Sequence, residues 1–490
     1  MYIKEEVSIM SNTTQALSRI EAILDDSSFV EIGARVTARA TDFNMQEKKA
    51  PSDGVITGYG VVNGNLVYVY SQDASVLGGT IGEMHAKKIA SLYEKAMKMG
   101  APVVGLIDCA GLRLQEATDA LNGFGEIYKN MSLASGIIPQ ITAVYGECGG
   151  GLAVLAELSD FVFVEEKKAK LFVNSPNALD GNYESKLDTS SAKFMAEAGV
   201  VDFVGDEETI ANGVRQLVSM LPSNNAEGTV CTDNQDDLNR VCQDMEAEIA
   251  DSALALTDIS DDGVFVEAKA EYAKEMVTGF ILVDGVTVGA VANRTALYDE
   301  NGEKAEEFAP VLTTAGAYKA AEFVTFCNAF EIPVLTLTNV KGFEATVKSE
   351  RTIAKAAAKL VYAFSNADVP KVNIITGEAY GSAYVAMNSK SIGADMVYAW
   401  PQASIGMMDA SLAAKIMYAD DIAASKDVTS TINEKAAEYA ALQSSVDQAA
   451  ARGYVDTIIN PEDTRKYVVA AFEMLFDKRE VRADKKHGTV

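Results

Sequence analysis

Histidine is nearly absent: His85 and His487 are the only two in 490 residues. That scarcity argues against multi-histidine metal sites, Ser-His-Asp triads and histidine general bases, since at most two imidazoles exist. Cysteine is also sparse. Cys109, Cys148, Cys231, Cys242 and Cys327 are scattered, odd in number and free of any Cys-x-x-Cys pair. They make neither a zinc ribbon nor a disulfide framework and read as free thiols of a reducing compartment. Positive charge is in deficit, with Lys+Arg 42 against Asp+Glu 70 and a net charge of −28. Such a field repels nucleic acid and anionic membrane surfaces, so no nucleic-acid partner is expected. No apolar run approaches the length of a membrane span, and the opening stretch MYIKEEVSIMSNTTQALSRI lacks a basic end followed by an apolar centre. A cytoplasmic protein is expected.

What the chain does have is 48% hydrophobic and 23% charged residues, a globular balance. Its length exceeds what one core usually organises, so two domains are expected. The spacing of Gly and Pro shows why. Pro102, Gly111, Pro139, Gly146, Glu147 and Gly150 recur as Pro333, Gly342, Pro370, Gly377, Glu378 and Gly381, all at an offset of 231.

The intervening segments agree in kind. APVVGLIDCAG pairs with IPVLTLTNVKG, each a β-branched apolar run behind a Pro that ends in a Gly-bearing turn. Upstream, two hairpins are expected, turning at Asn63-Gly64 and Asp284-Gly285, with ALYDENGEKAEEF as an extra loop in the second copy. Helical patterns run from Glu83 to Met99 and from Gly316 to Phe330. The result is an α/β chain of two repeated lobes, 1–225 and 255–490, joined through the polar, turn-rich segment 221–237. The C-terminal stretch reads as a packed amphipathic helix with a charged stub.

In each lobe a buried strand enters Gly-rich backbone and then a helix, at Gly149-Gly150-Gly151 and at Tyr380-Gly381-Ser382. A helix start offers unpaired N–H groups and a positive dipole end. A second turn per lobe, Gly111-Leu112 and Gly342-Phe343, follows the neighbouring strand. Two amides converging on one oxygen make an oxyanion hole, which stabilises an enolate without a titrating side chain. The bland alternative is that the glycines only permit close strand-to-helix packing. Four turns in two matched pairs at strand carboxyl ends favour function. Glu147 and Glu378 could act as a hydratase-like acid and base, or serve the turns structurally. Arg113 could hold an anionic substrate group or an ion pair. Lys87 and Lys88 beside His85 could meet phosphates or line a solvated face. Cys109 and Cys148 read as buried small residues.

The segments DGVITGYGVVNGNLVYVYSQDASVLGGTIGEMHAKKI, ASGIIPQI, AYGSAYVAMNSKSIGADMVYAWPQASIGMM and ARGYVDTIINPEDTRKYVVAAFEML resemble the biotin-dependent acyl-CoA carboxyltransferases over nearly the whole chain. That family includes propionyl-CoA carboxylase β subunits and the carboxyltransferase subunit of methylmalonyl-CoA decarboxylase. The resemblance implies two crotonase-like lobes, the first holding acyl-CoA and the second receiving biotin from a separate carrier protein. It implies a homo-oligomer, dimer to hexamer, with the active site between the first lobe of one subunit and the second of another. Biotin carboxylase or membrane decarboxylase subunits are the further partners it implies, the latter bringing the protein to a membrane.

Carried over, Gly150 and Gly151 with Gly111 and Leu112 face the thioester oxygen, and Arg113 lies on the substrate side. Gly381, Ser382 and Ala383 with Gly342 and Phe343 face the biotin ureido oxygen, beside Tyr380. The chain also departs from the family. Cys109-Ala110-Gly111-Leu112-Arg113 stands for Ser-Gly-Gly-Ala-Arg, and Ser382 for a glycine. Asn339-Val340-Lys341-Gly342-Phe343 stands for Asp-Val-Pro-Gly-Phe, and without the ring that fixes φ a looser second turn is expected. The segment NSPNALDGNYESKLDTSSAKF has little likeness to its counterpart. Two rival readings remain: a crotonase-type enoyl-CoA hydratase or isomerase, and a non-catalytic scaffold in a biotin-dependent complex.

Ala96-Met97-Lys98-Met99 spells the tetrapeptide that carries biotin on its lysine in carrier domains. Here Ile89, Leu92, Tyr93, Ala96 and Met99 keep helical spacing and Gly100 is placed as a C-terminal cap, whereas a biotinyl lysine needs a hairpin tip. The purified chain should therefore be negative on a streptavidin blot; a positive band that vanishes in Lys98→Arg would reverse this.

Overall fold

The computed structural model describes residues 14–39, 42–228, 230–299, 301–480, 482 and 487–489. The chain divides into two compact units, Met1–Ser219 and Met220–Val490.

The first unit is built on eight strands: β1 (Val30–Ile32), β2 (Val55–Val62), β3 (Asn65–Gln72), β4 (Val103–Cys109), β5 (Gln140–Gly149), β6 (Phe161–Glu165), β7 (Lys170–Phe172) and β8 (Phe203–Gly205). They lie in the order β1-β2-β3-β4-β5-β6-β8, with β7 paired to β5. The second unit has β9 (Phe265–Ala268), β10 (Met276–Val283), β11 (Val286–Asn293), the small hairpin β12 (Ala296–Tyr298) and β13 (Lys304–Glu307), then β14 (Val334–Val340), β15 (Lys371–Tyr380), β16 (Met396–Ala399), β17 (Ser404–Gly406) and β18 (Thr457–Ile458). Its main sheet runs β9-β10-β11-β14-β15-β16-β18, with β17 on β15, so the two sheets share one topology. In both, the first three strands are antiparallel and every later pairing is parallel. Registers repeat as well: Val103 faces Gln140 and Val334 faces Lys371.

Local chemistry explains the elements. Asn63 and Gly64 have φ of 49° and 85°, and Asp284 and Gly285 have 51° and 72°, so both hairpins turn through two left-handed residues as Asn-Gly and Asp-Gly allow. The extra loop of the second copy is the β12–β13 hairpin. The helix Glu83–Met99 ends at Gly100 with φ 62°. Its counterpart is Thr314–Ala329 rather than Gly316–Phe330, because the Thr313 hydroxyl accepts from the Gly316 N–H at 2.9 Å and caps it two residues earlier.

The parallel strands are buried on both faces, which is why they read as continuous apolar runs. In the first unit Val103, Ile107 and Val144 pack with Ile89, Leu92 and Tyr93. In the second, Leu335, Leu337, Val372 and Ile374 share a core with Trp400 and with Val468 and Phe472 of the terminal helix Thr464–Leu475.

The duplication extends to buried polar groups. Lys88 and Lys319 hold equivalent positions, and both aim their amines at backbone carbonyls: Ser52 and Val55 for Lys88, Lys269 and Tyr272 for Lys319. At another equivalent pair, Gln140 donates to Met131 O at 3.1 Å while Lys371 donates to Phe364 O at 2.6 Å and Ala367 O at 2.7 Å. Different side chains thus close the carboxyl end of the preceding helix.

Burial lowers the Lys319 pKa to about 7. Between that value and the ordinary lysine value, the unfolded chain binds a proton that the folded one does not, so the Lys319 contribution to stability rises with pH. The melting temperature of the native protein minus that of Lys319→Met should climb from about pH 7 to about pH 10. A pH-independent difference would show that the amine is not shifted.

Candidate active site

In each unit the two central parallel strands, β4–β5 and β14–β15, leave the sheet at the same end. Their ladders are interrupted between Ile107 and Cys109, and between Thr338 and Val340. The residues at these irregularities, Asp108 and Asn339, turn their side chains across the neighbouring strand. A Cβ on Gly146 would overlap the Asp108 carboxylate, and one on Gly377 would stand 2.7 Å from Asn339 Oδ1. Both repeated glycines are therefore required by close approach. Asn339 Oδ1 accepts the Glu378 N–H at 3.0 Å, and Asp108 accepts from Arg19 at 3.0 Å.

The turns that follow have identical wiring. Ile81 N donates to Gly111 O and Arg113 N to Ile81 O, both at 2.9 Å. Leu312 N donates to Gly342 O at 2.9 Å and Glu344 N to Leu312 O at 3.0 Å. Because these short parallel bridges use the residues on either side, the N–H groups of Leu112 and Phe343 point away from the ladder. Gly111 has φ 107°, and its own N–H faces Cys109 Sγ at 3.4 Å.

Beside each of these lies the glycine turn of the adjacent strand. Gly150 takes φ 64° and ψ −127°, and the helix Gly151–Glu157 starts directly after it. Gly381 takes φ 60° ahead of Ser382 and Ala383 in the helix Gly381–Ala386. Gly150 donates its N–H to Phe172 O at 2.8 Å, so it shapes the turn and gives no donor to a ligand. The first unit thus presents Leu112 and Gly151 as its candidate donors, from neighbouring strand ends. The second presents Phe343 with Ser382, which is exposed, and Ala383, whose side chain is buried.

The space in front of Gly111 and Gly342 is open, since a Cβ on either would meet nothing within 4 Å. Gly151 is different: a Cβ there would press on the Phe124 ring at 2.5 Å and on the Tyr128 hydroxyl at 2.9 Å. Tyr128 donates its hydroxyl to Gly151 O at 2.5 Å and so fixes the peptide that follows. No local pattern announces Tyr128, because the contact joins positions 23 residues apart.

Arg113 does not face a substrate. Only 2% exposed, it pairs with Asp53 at 2.5 Å and Glu116 at 2.8 Å and donates to Thr80 O at 2.7 Å. This corrects the expectation of an anion-binding arginine: the guanidinium is spent on internal partners, Asp53 ahead of β2, Glu116 and Thr80. Lys88 and His85 are likewise internal. His85 sits between Gln72 and Asp53, and burial drives its pKa down to about 3. Lys87 pairs with Glu83 at 2.6 Å. Lys98 is exposed on the last turn of its helix, not on a hairpin tip.

Burial pushes the Cys109 thiol up to about 12 and the Cys148 thiol higher still, so both stay protonated. Glu147 is exposed and Glu378 half-buried. The second turn is not loose either, because the Lys341 N–H donates to Pro310 O at 2.9 Å, a bond a proline there could not make.

A carboxyl transferase domain model matches residues 11–490. The methylmalonyl-CoA decarboxylase subunit alpha of Propionigenium modestum is 39% identical, covering 98% of this chain and 93% of that protein. The propionyl-CoA carboxylase beta chain of Roseobacter denitrificans is 38% identical, covering 97% and 93%. A crystal structure of transcarboxylase 12S, described as a hexamer with hydrolysed methylmalonyl-coenzyme A bound, superposes with a TM-score of 0.89 at 35% identity, over 96% of this chain and 92% of that one. Two matched sheets, matched pairs of turns and this likeness over the full length place the chain in the carboxyl transferase domain family.

Proposed function

We propose that this protein is the carboxyltransferase subunit of a biotin-dependent enzyme, moving a carboxyl group between biotin on a partner carrier and an acyl-CoA of the propionyl-CoA/methylmalonyl-CoA type. The carrying observation is the duplicated pair of amide-lined turns, one pair per unit, each facing open space at the carboxyl end of the central strands. Two carbonyl oxygens need such holes in this chemistry, one on the thioester and one on the biotin ureido ring. The residues fit both groups, since each site combines backbone donors outside the ladder with room in front of a glycine.

Leu112 and Gly151 bind the thioester oxygen and stabilise the charge it gains as the α-proton leaves. Two such hydrogen bonds aimed at the developing charge supply several kcal/mol in the transition state. Phe343, Ser382 and Ala383 hold the ureido oxygen and orient the ring. When bound, carboxybiotin supplies both the carbon dioxide and the basic ureido nitrogen. That division of labour suits a site whose nearest thiols are locked as SH. In the decarboxylation direction the same amides stabilise the same enolate. The names of the relatives, propionyl-CoA carboxylase and methylmalonyl-CoA decarboxylase, support the three-carbon acyl class and span both directions. A homo-oligomer, dimer to hexamer, working with a biotin carrier and with biotin carboxylase or membrane decarboxylase subunits, completes the proposal.

Transfer of a labelled carboxyl group between methylmalonyl-CoA and free biotin should be detected, and acetyl-CoA and butyryl-CoA should serve less well than propionyl-CoA in the reverse direction. Hydration of an enoyl-CoA without biotin would favour the hydratase reading; no transfer to any thioester with retained carrier binding would favour a scaffold. Gly111→Ala should lower transfer about 100-fold without unfolding the protein, because alanine cannot hold φ 107° although space exists for its methyl. A loss of less than about threefold would remove the first turn from the site.

A further inference from the structure

The two glycine turns are locked by different devices. In the second unit the lock starts at Tyr380, the last residue of β15, buried at 6% exposure directly before Gly381. Its hydroxyl donates to Ser404 Oγ at 2.8 Å, and the Ser404 hydroxyl donates onward to Ser444 O at 3.3 Å. The donors run in one direction, so both protons are satisfied. Ser404 and Ser445 also form an isolated antiparallel bridge, which ties together the two ends of the excursion 407–443. Ser444 closes a π-helical turn, Ala440–Ser444, and lies so near β17 that a Cβ on Gly406 would stand 2.8 Å from its hydroxyl. Gly406 is itself the register partner of Tyr380. Three segments are therefore linked in series, from the Tyr380 hydroxyl through Ser404 to Ser444.

The first unit has no such chain among the described residues. Gly149 stands at the position of Tyr380, and Lys170, at the register position of Ser404, pairs with Asp188 at 2.7 Å. We infer that Tyr380, through Ser404 and the Ser444 carbonyl, is a positioning residue for the second oxyanion turn, setting the direction of the Ser382 and Ala383 amides. Gly381 is the pivot between strand and helix, at φ 60°, and the residue before a pivot sets the plane of the peptide entering it. Anchoring that residue by its side chain restricts the pivot to one orientation. The hydroxyl stays protonated, because burial raises its pKa.

This inference rests on assigning the second turn to the biotin side. Transfer of labelled carboxyl from methylmalonyl-CoA to free biotin by the full-length protein tests it. Tyr380→Phe keeps the ring and removes a buried hydroxyl together with its bond, so the melting temperature should hold. The KM for biotin should rise about tenfold while the KM for methylmalonyl-CoA is unchanged. Ser404→Ala should reproduce this, and the double variant should match either single one, since both cut the same chain. An unchanged biotin KM, equal changes in both KM values, or additive effects in the double variant would overturn the positioning role. Absence of transfer by the native protein would instead overturn the reading on which it rests.

Discussion

Everything at the candidate site depends on the parallel pairing of two strands per unit, β4 with β5 and β14 with β15. That pairing brings two chain exits side by side, and its irregularity at Asp108 and Asn339 releases the strand ends from the ladder. Once released, each end is recaptured by a short bridge, to Ile81 or Leu312, that consumes the flanking peptides and leaves one amide facing out. The donors are thus by-products of how the sheet terminates. No side chain needs to be charged, protonated or mobile for them to act, which agrees with a chain nearly devoid of histidine.

The two units solve the same geometric problem with different polar hardware. Gln140 and Lys371 close equivalent helix ends. Asp108 and Asn339 occupy equivalent irregularities, one paired with Arg19 and the other accepting a backbone N–H. Tyr128 fixes the first glycine turn from a helix, whereas Tyr380 fixes the second from within the strand. Backbone conformation persists across the repeat while its supports change.

What could be read from the residues alone was whatever short-range chemistry decides. Asn63-Gly64 and Asp284-Gly285 must turn, Gly100 must end a helix, and an offset of 231 maps one sheet onto the other. The unread part lay in long-range contacts. Whether Gly150 gives a donor or only a bend depends on Phe172, and whether Arg113 meets a ligand depends on Asp53. Lys341 followed the same rule: loss of a ring suggested looseness, but the N–H that lysine regains is spent on Pro310. Position in sequence carries no information about those partners.

Lys88 and Lys319 bear on the history of the chain. Enclosing an amine among carbonyls is costly unless every donor is matched, and an arrangement that needs a specific ring of backbone oxygens rarely arises twice at one position. Their equivalence is most simply a shared inheritance: a single-lobed ancestor already carried the enclosed lysine. On that account the present protein is that ancestor's lobe in two copies, and the enclosed lysine predates the doubling.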